Sequence, residues 1–411
     1  MKRFSVRIYL DFNATAPAAP GVIDAVCRVL RDIPGNPSSI HASGQQARAV
    51  LDDARGVVAT LIEAAPSDLV FTGGGTEADN LALRGAAEAR ESSGRRHLIC
   101  SSIEHEAVLN TLTGLERRGW RVTRLPVDRS GSVSPTSLAS AIDEETALVS
   151  VMHANNEIGT LQPIAELADI AHSVGAWFHT DAVQTVGKVP VSVRTLGVDL
   201  LSLSGHKFGG PKGTGALWVR RGLRLHAQHT GGRQERSRRG GTENVAGLAG
   251  LAVAAAYARA SMAQHASETA RLRDRLESAI LETVPGSAVN GAREHRVPNT
   301  TNISFDGVEA ESLLIALDLD GIAVSTGSAC SSGTLEPSHV LQAMGLPAAH
   351  VRSSLRFSLG PQTTDAEVDA VVDRLPRLVE KLRRLTHRAT HLVGAGAPTR
   401  GTTRDAVRGD T

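Results

Sequence analysis

The chain has 411 residues, 41% of them hydrophobic and 21% charged, with a formal net charge of +1. That balance is ordinary for a soluble globular protein long enough to hold two domains, and it gives no reason to expect nucleic acid or a membrane as a primary partner. The three cysteines, Cys27, Cys100 and Cys330, show no zinc-type spacing and are too few for a disulfide framework, which suits a reducing compartment where a free thiol can act as a nucleophile.

Asp11 interrupts the start of the chain before an apolar stretch reaches signal-peptide length, so the expected location is cytoplasmic. Ile8-Tyr9-Leu10-Asp11 reads as a short strand, followed by the turn-rich Asn13-Ala14-Thr15-Ala16-Pro17. A loop at Gly35-Asn36-Pro37-Ser38-Ser39 launches a helix whose Ala47, Val50, Leu51, Ala54, Val57, Val58 and Leu61 recur at helical spacing. Apolar runs and helical segments then alternate. Strands are expected at Leu69-Val70-Phe71-Thr72, His97-Leu98-Ile99-Cys100, at 147–152, at Ala176-Trp177-Phe178 and at 198–203. Helices are expected at 76–90, at 106–118 and between Pro163 and Gly175. Nearly continuous apolar strands separated by helices imply βαβ units and a mostly parallel sheet covered on both faces.

After Thr242 the pattern changes to an Ala-rich helix at 245–263, whose apolar run at 245–258 is too short to span a bilayer, and a second helix carrying Leu272, Leu276 and Ile280. Strands follow at Thr300-Thr301-Asn302-Ile303-Ser304-Phe305 and Leu355-Arg356-Phe357-Ser358-Leu359, with a helix at 310–319 between them. Thr364 and Glu367 form a capping-box pattern that opens the last helix. The fold class is therefore α/β, with a large domain over 15–260 and a smaller α+β domain over 1–14 and 261–388. A tail at 389–411, rich in Gly, Thr, Arg and Ala, is expected to be disordered.

Ligands of parallel sheets bind at the carboxyl ends of the strands, which directs attention to Glu104, His105, the residues after 152, Asp181 and Ser204 to Lys207. Lys207 follows an apolar strand and opens a glycine-rich turn. Lysines in loops are mostly solvated, but one that is buried or faces other charges becomes a nucleophile toward carbonyls. Gly73-Gly74-Gly75-Thr76-Glu77 joins a strand to a helix, where backbone N–H groups and the helix dipole favour an anion such as phosphate. A plain strand-to-helix turn is the alternative. Asp181 ends a buried strand and needs a cation or strong hydrogen bonds. It either forms a structural ion pair or keeps a heterocyclic nitrogen protonated, with Gln184 three residues on able to reach a neighbouring phenolic oxygen. Four histidines, His105, His153, His179 and His206, lie at strand ends without metal-ligand spacing; His105 is better read as an imidazole stacked on a planar cofactor. Cys330 sits in Ser325-Thr326-Gly327-Ser328-Ala329-Cys330-Ser331-Ser332-Gly333-Thr334, whose small residues offer nothing to bury it. It reads as a reactive thiol, whereas Cys27 and Cys100 are expected in the core. Arg356, the one charge in its strand, either caps a structural carboxylate or forks a substrate carboxylate.

Taken together, Tyr9-Leu10-Asp11, Gly35 to Ser39, Gly74 to Asn80, Glu104-His105, Asn155-Asn156-Glu157-Ile158-Gly159, Asp181 to Gln184, Ser204 to Gly215, Gly241-Thr242 and Ser325 to Ser338 resemble the cysteine desulfurases. These are fold-type I pyridoxal-phosphate enzymes of the class V aminotransferase family, and the resemblance runs over residues 9–382. The long segment around Cys330 resembles the housekeeping and nitrogen-fixation subgroup. The resemblance implies pyridoxal 5'-phosphate held covalently by Lys207, which also moves the substrate proton. It implies Asp181 on the pyridine nitrogen, Gln184 on the phenolic oxygen and His105 over the ring. Gly75, Thr76, Ser204 and His206 would hold the phosphate, joined by Thr242 from the second subunit of a homodimer. Asn156 and Arg356 would hold L-cysteine, and Cys330 would take its sulfur as a persulfide for a sulfur-acceptor protein, leaving alanine. No resident metal is implied, although Cys330 could serve as a transient iron–sulfur ligand in an acceptor complex. Selenocysteine lyase, aminotransferase and a non-catalytic sulfur-partner scaffold are the alternatives. Gly75 stands where alanine is common in the family, Arg233 where glycine is usual and Gly240 where serine is usual.

Overall fold

A computed structural model describes residues 7–327 and 337–394, the last nine as backbone only. Its strands, in chain order, are β1 Ile8–Tyr9, β2 Leu69–Thr72, β3 His97–Ser101, β4 Arg121–Leu125, β5 Thr146–Ser150, β6 Trp177–Asp181, β7 Leu200–Ser204, β8 Gly215–Val219, β9 Ser287–Asn290, β10 Thr300–Phe305, β11 Ile322–Ala323 and β12 Ser354–Ser358. Seven of them form the large sheet in the order β2-β8-β7-β6-β5-β3-β4. Only β8 runs against its neighbours β2 and β7; the remaining pairs are parallel. Every residue of β2, β3, β5, β7 and β8 is buried, as expected of strands with helices on both faces. β4 is the exception. It is an edge strand with exposed Arg121 and Arg124, charges that discourage pairing with another chain.

A second core is built on the antiparallel sheet β12-β10-β9 and the parallel pair β1-β11. Here the very start of the chain meets its far end, with Ile8 opposite Ile322 and the Phe12 N–H donating to the Ser358 carbonyl. Thr364 and Glu367 make the reciprocal capping bonds at 3.3 and 2.8 Å.

Three expectations change. The two helices after Thr242 are one, Val245–Thr283, because no glycine or proline at 259–271 stops it. Its 39 residues span about 58 Å. Leu248, Leu251 and Ala258 pack into the first core and Leu272, Leu276 and Ile280 into the second, so the expected boundary at 260/261 falls inside this helix. By length and composition it could also cross a membrane, but its apolar side chains are shared between the two cores. The last helix, Asp365–Gly394, runs past residue 389 where a disordered tail was expected to begin, and residues 395–411 lie outside the described ones. Cys100 is buried as expected, but Cys27 is exposed. The helix Val22–Asp32 buries Val22 and Val29, and Cys27 projects away from that face.

Candidate active site

The loops at the carboxyl ends of β2, β3, β5, β6 and β7 converge on one cavity of about 370 Å³. Gly75, Thr76, His105, Asn156, Asp181, Gln184, Ser204, His206, Lys207 and Arg356 all line it. Parallel strands put their carboxyl ends on one edge, so residues distant in sequence meet there.

After β2, Gly74 has φ 151°, and the helix Gly75–Glu91 starts with no side-chain cap, leaving its first N–H groups available to an anion. Space is tight at this turn. A Cβ on Gly75 would lie 2.8 Å from Val183 Cγ2, so this glycine leaves the turn compact against the loop after β6. Gly75, Thr76, Ser204 and His206 also line a wider neighbouring groove, which places them where the two spaces join. His206 Nδ1 lies 3.2 Å from Thr15 Oγ1, and burial lowers its pKa to about 4.

His105 caps the helix Glu106–Glu116, its Nδ1 accepting from the Ala107 N–H at 3.1 Å. That bond leaves Nε2 as the protonated nitrogen, with the ring exposed toward the cavity. Asp181 accepts from the Val183 N–H at 2.8 Å. Burial raises its pKa, against the attraction of His105 and Lys207. Two further buried carboxyls stand nearby. Asp79 is raised well above the usual range by burial and by Asp181, and its Oδ1 has no hydrogen-bond partner. Glu104 is raised to about 8 by burial, although Oε1 accepts from Ser101 Oγ at 2.5 Å and from the Met152 N–H at 2.9 Å. His179 is a core residue bonded to Ser150 and Ser202, and burial lowers His153 to about 4.

The opposite charges gather around Asn13. Lys207 Nζ donates to the carbonyls of Asn13 and Ala14 at 2.7 and 3.0 Å. Burial, helped by Arg356, lowers its pKa to about 8 against the pull of Asp181 and Asp11. Lys188 Nζ donates to Asn13 Oδ1 and Gln184 Oε1, both at 2.8 Å, and Gln184 Nε2 donates to the Asn13 carbonyl at 3.1 Å. Asn13 Nδ2 in turn reaches the Asn156 carbonyl and Thr300 Oγ1. Arg356 is buried in β12, donating to Asp11 Oδ1 at 2.7 Å and to the Asn156 carbonyl at 2.9 Å, with Nε left over. It therefore does cap a carboxylate while also facing the cavity.

Cys330 lies outside the described residues, but Ser325, Gly327 and Pro337 on either side of its segment line the same cavity. Glu157 touches both sides: it accepts from Ser338 Oγ at 2.5 Å, and a Cβ on Gly327 would come within 3.0 Å of its Cγ. Thr242 is exposed and lines neither space in this chain. Ahead of it, Glu235, Arg236 and Ser237 all have positive φ, and Glu235 is held by Arg55 at 2.5 Å and by the Phe71 N–H. Arg239 pairs with Glu77 at 2.9 Å. Sequence reasoning missed the roles of Asn13, Asp79 and Lys188. For Lys188 a signal existed, its spacing of four from Gln184, but nothing local marks it as enclosed.

The residues present suit a flat, anionic heterocycle. Asp79 is a buried acid with an unpartnered oxygen beside Asp181, a cradle that a Cβ would fill lies at an uncapped helix start, and an amine of lowered pKa lines the same cavity. Comparison with known proteins points the same way. The family "Aminotransferase class-V" matches residues 8–371. The cysteine desulfurase IscS of Dictyoglomus turgidum is 47% identical, covering 94% of this chain and 97% of that protein. Among solved structures, a NifS-like protein superposes with a TM-score of 0.86 at 36% identity, covering 92% of this chain and 100% of that one. The structure titled "SspA in complex with cysteine" superposes with a TM-score of 0.76 at 35% identity, over 87% and 100% of the two chains.

Proposed function

The chain belongs to the class-V aminotransferase family and is a pyridoxal-phosphate-dependent cysteine desulfurase acting on L-cysteine; from that premise we propose how its residues divide the work. Bound in the cavity, pyridoxal phosphate supplies the electron sink that lets bonds at the substrate carbons break. Lys207 holds it covalently and, once released, carries the substrate proton on Nζ; an amine titrating near 8 is partly neutral at physiological pH. Asp181 keeps the ring nitrogen protonated, His105 lies over the ring, and Gln184 faces the phenolic oxygen. The Gly75 N–H, Thr76, Ser204 and His206 hold the phosphate, with Thr242 reaching in from a second subunit. Arg356 and Asn156 orient the substrate, Arg356 through its carboxylate.

Cys330 is the sulfur acceptor. Its thiolate would attack the substrate sulfur, an S–S bond forming as the C–S bond breaks, and bound pyridoxal phosphate would supply the sink for the C–S bonding pair. Protonation then gives alanine, and the enzyme retains a persulfide on Cys330. One observation carries this reading: the residues that would hold cofactor and substrate line the same cavity as both flanks of the Cys330 segment. Replacing Cys330 with Ala should abolish sulfide release from L-cysteine while the protein still gains the yellow colour of bound cofactor. Undiminished release would show that the sulfur leaves by another route.

The division into a domain over 15–260 and one over 1–14 and 261–388 belongs to this proposal, as do a cytoplasmic homodimer and delivery of sulfur to an acceptor protein, iron–sulfur cluster assembly being the destination we favour. The free thiols Cys27 and Cys100 suit a reducing compartment. The exposed Ile23, Leu30 and Ile40, at 66%, 71% and 94%, support a covered surface in the dimer.

A further inference from the structure

We infer that Lys188 is a positioning residue: its amine fixes the Gln184 amide so that the N–H side is the one offered to the cofactor's phenolic oxygen. The inference rests on reading the cavity as the pyridoxal-phosphate site and adds to it a residue that does not line that cavity.

Lys188 Nζ donates to Gln184 Oε1 at 2.8 Å, so the amide oxygen is turned away from the cavity and committed. Gln184 Nε2 spends one hydrogen on the Asn13 carbonyl at 3.1 Å and keeps the second. Without Lys188 the amide could flip and present its oxygen to an anionic oxygen, which repels it. The second bond from Lys188, to Asn13 Oδ1 at 2.8 Å, fixes the residue whose carbonyl also receives Lys207 Nζ. One amine thus orients both the amide and the anchor of the reactive lysine.

Its surroundings disfavour a charge there. The stem is half-buried against a separate cavity of about 70 Å³ walled by Phe12, Phe208, Tyr257 and Leu359, while Nζ itself is enclosed. Among the described residues no carboxylate stands within ion-pair distance of it. Burial, and after it the cations Lys207 and Arg356, lowers its pKa well below the usual lysine value, and His265 lines the neighbouring cavity. Lys207 is acted on in turn by Arg356, Asp181 and Asp11, with His206 beside it in the chain. Enclosed and held by two oxygen acceptors, the amine acts through its hydrogen bonds on the amide in front of it.

The test compares wild type with Lys188→Met and, in case that variant does not fold, Lys188→Gln, which is shorter and loses the bridge between Gln184 Oε1 and Asn13 Oδ1. Two titrations are read. In cofactor-free protein, acetic-anhydride labelling of Lys207 is followed against pH by peptide mass spectrometry. In protein loaded with pyridoxal phosphate, the visible absorption band is followed against pH. An amide free to turn withdraws its donor from the anionic oxygen, so the visible-band midpoint should rise, and a loosened Asn13 carbonyl supports the Lys207 ammonium less, so the labelling midpoint should fall, each by about half a pH unit or more. A variant that folds and binds cofactor with both midpoints unchanged overturns the inference, because a merely structural Lys188 would alter melting temperature alone. If wild type itself gains no visible band, the reading of the cavity fails, and the labelling experiment still decides the role of Lys188.

Discussion

The cavity lies between two unlike walls of ionisable groups, in which Lys188 and Glu104 stand behind the lining residues. Lys188, Lys207 and Arg356 are held by oxygens of Asp11, Asn13 and Ala14, in the first turn of the chain. Asp79, Glu104 and Asp181 are held by hydroxyls and N–H groups of the central strands and their loops, and two of their oxygens have no partner. The basic wall is nearly satisfied by what the protein supplies; the acidic wall is not. A molecule with a protonated ring nitrogen at one end and an anionic oxygen at the other completes both. The comparison also separates two kinds of consequence: the basic wall governs chemistry, while the acidic wall governs how the cofactor-free fold responds to pH.

The largest effect should come from removing the reactive member of the basic wall. Lys207→Ala should lose the borohydride-trappable adduct and about 10⁴-fold or more of the desulfurase rate; trapping that persists on another lysine would displace the anchor. Next comes Arg356→Ala, which removes the substrate fork and leaves Asp11 without its partner. Its kcat/KM for L-cysteine should fall about 100-fold, mostly through KM, with a lower melting temperature besides. A change in stability without a change in KM would confine Arg356 to its structural ion pair.

The acidic wall yields a pH prediction. The pKa of Glu104 is raised in the fold to about 8, so the folded protein binds a proton more tightly there than the unfolded chain does. Its contribution is present at low pH and is lost as pH rises through 8, at a cost of at most about 5 kcal/mol. Glu104→Gln removes that loss. The melting temperature of the cofactor-free variant, minus that of wild type, should climb between pH 5 and pH 9; a flat difference would show that the carboxyl is not protonated in the fold. The smallest effect is at the cradle, which borders both walls. Gly75→Ala pushes against Val183 Cγ2 and should cost about 1 kcal/mol of stability with a several-fold weaker affinity for pyridoxal phosphate by equilibrium titration.

The acidic wall was the more legible in sequence. Asp181 closes an apolar run whose burial is nearly forced, and Glu104 precedes a helix start, so both could be placed at strand ends by pattern alone. β4 and β8 were missed for opposite reasons: Arg121 and Arg124 break the apolar run of an edge strand, and Gly215 to Val219 merges into the glycine-rich stretch before it. The basic wall depends on contacts no local pattern carries. Asn13 meets Lys188 across 175 residues and Lys207 across 194, and its neighbours read only as a turn. The resemblance identified Lys207 and Arg356, but it had no means of showing that both are anchored to the same four-residue stretch.

That stretch also sets when the enzyme can come into being. The partners of residues 8–13, Ile322 and Ser358, are synthesised more than 300 residues after them, a delay of roughly 15–60 s at ordinary rates of synthesis. Until then β1 is an unpaired edge, and the carbonyls that hold Lys207 have nothing to fix them in place. A chain cut short before β12 could still build most of its large sheet, but without the second core to seat its N-terminus it would lack the basic wall. Assembly of the basic wall is thus tied to synthesis of the chain through β12.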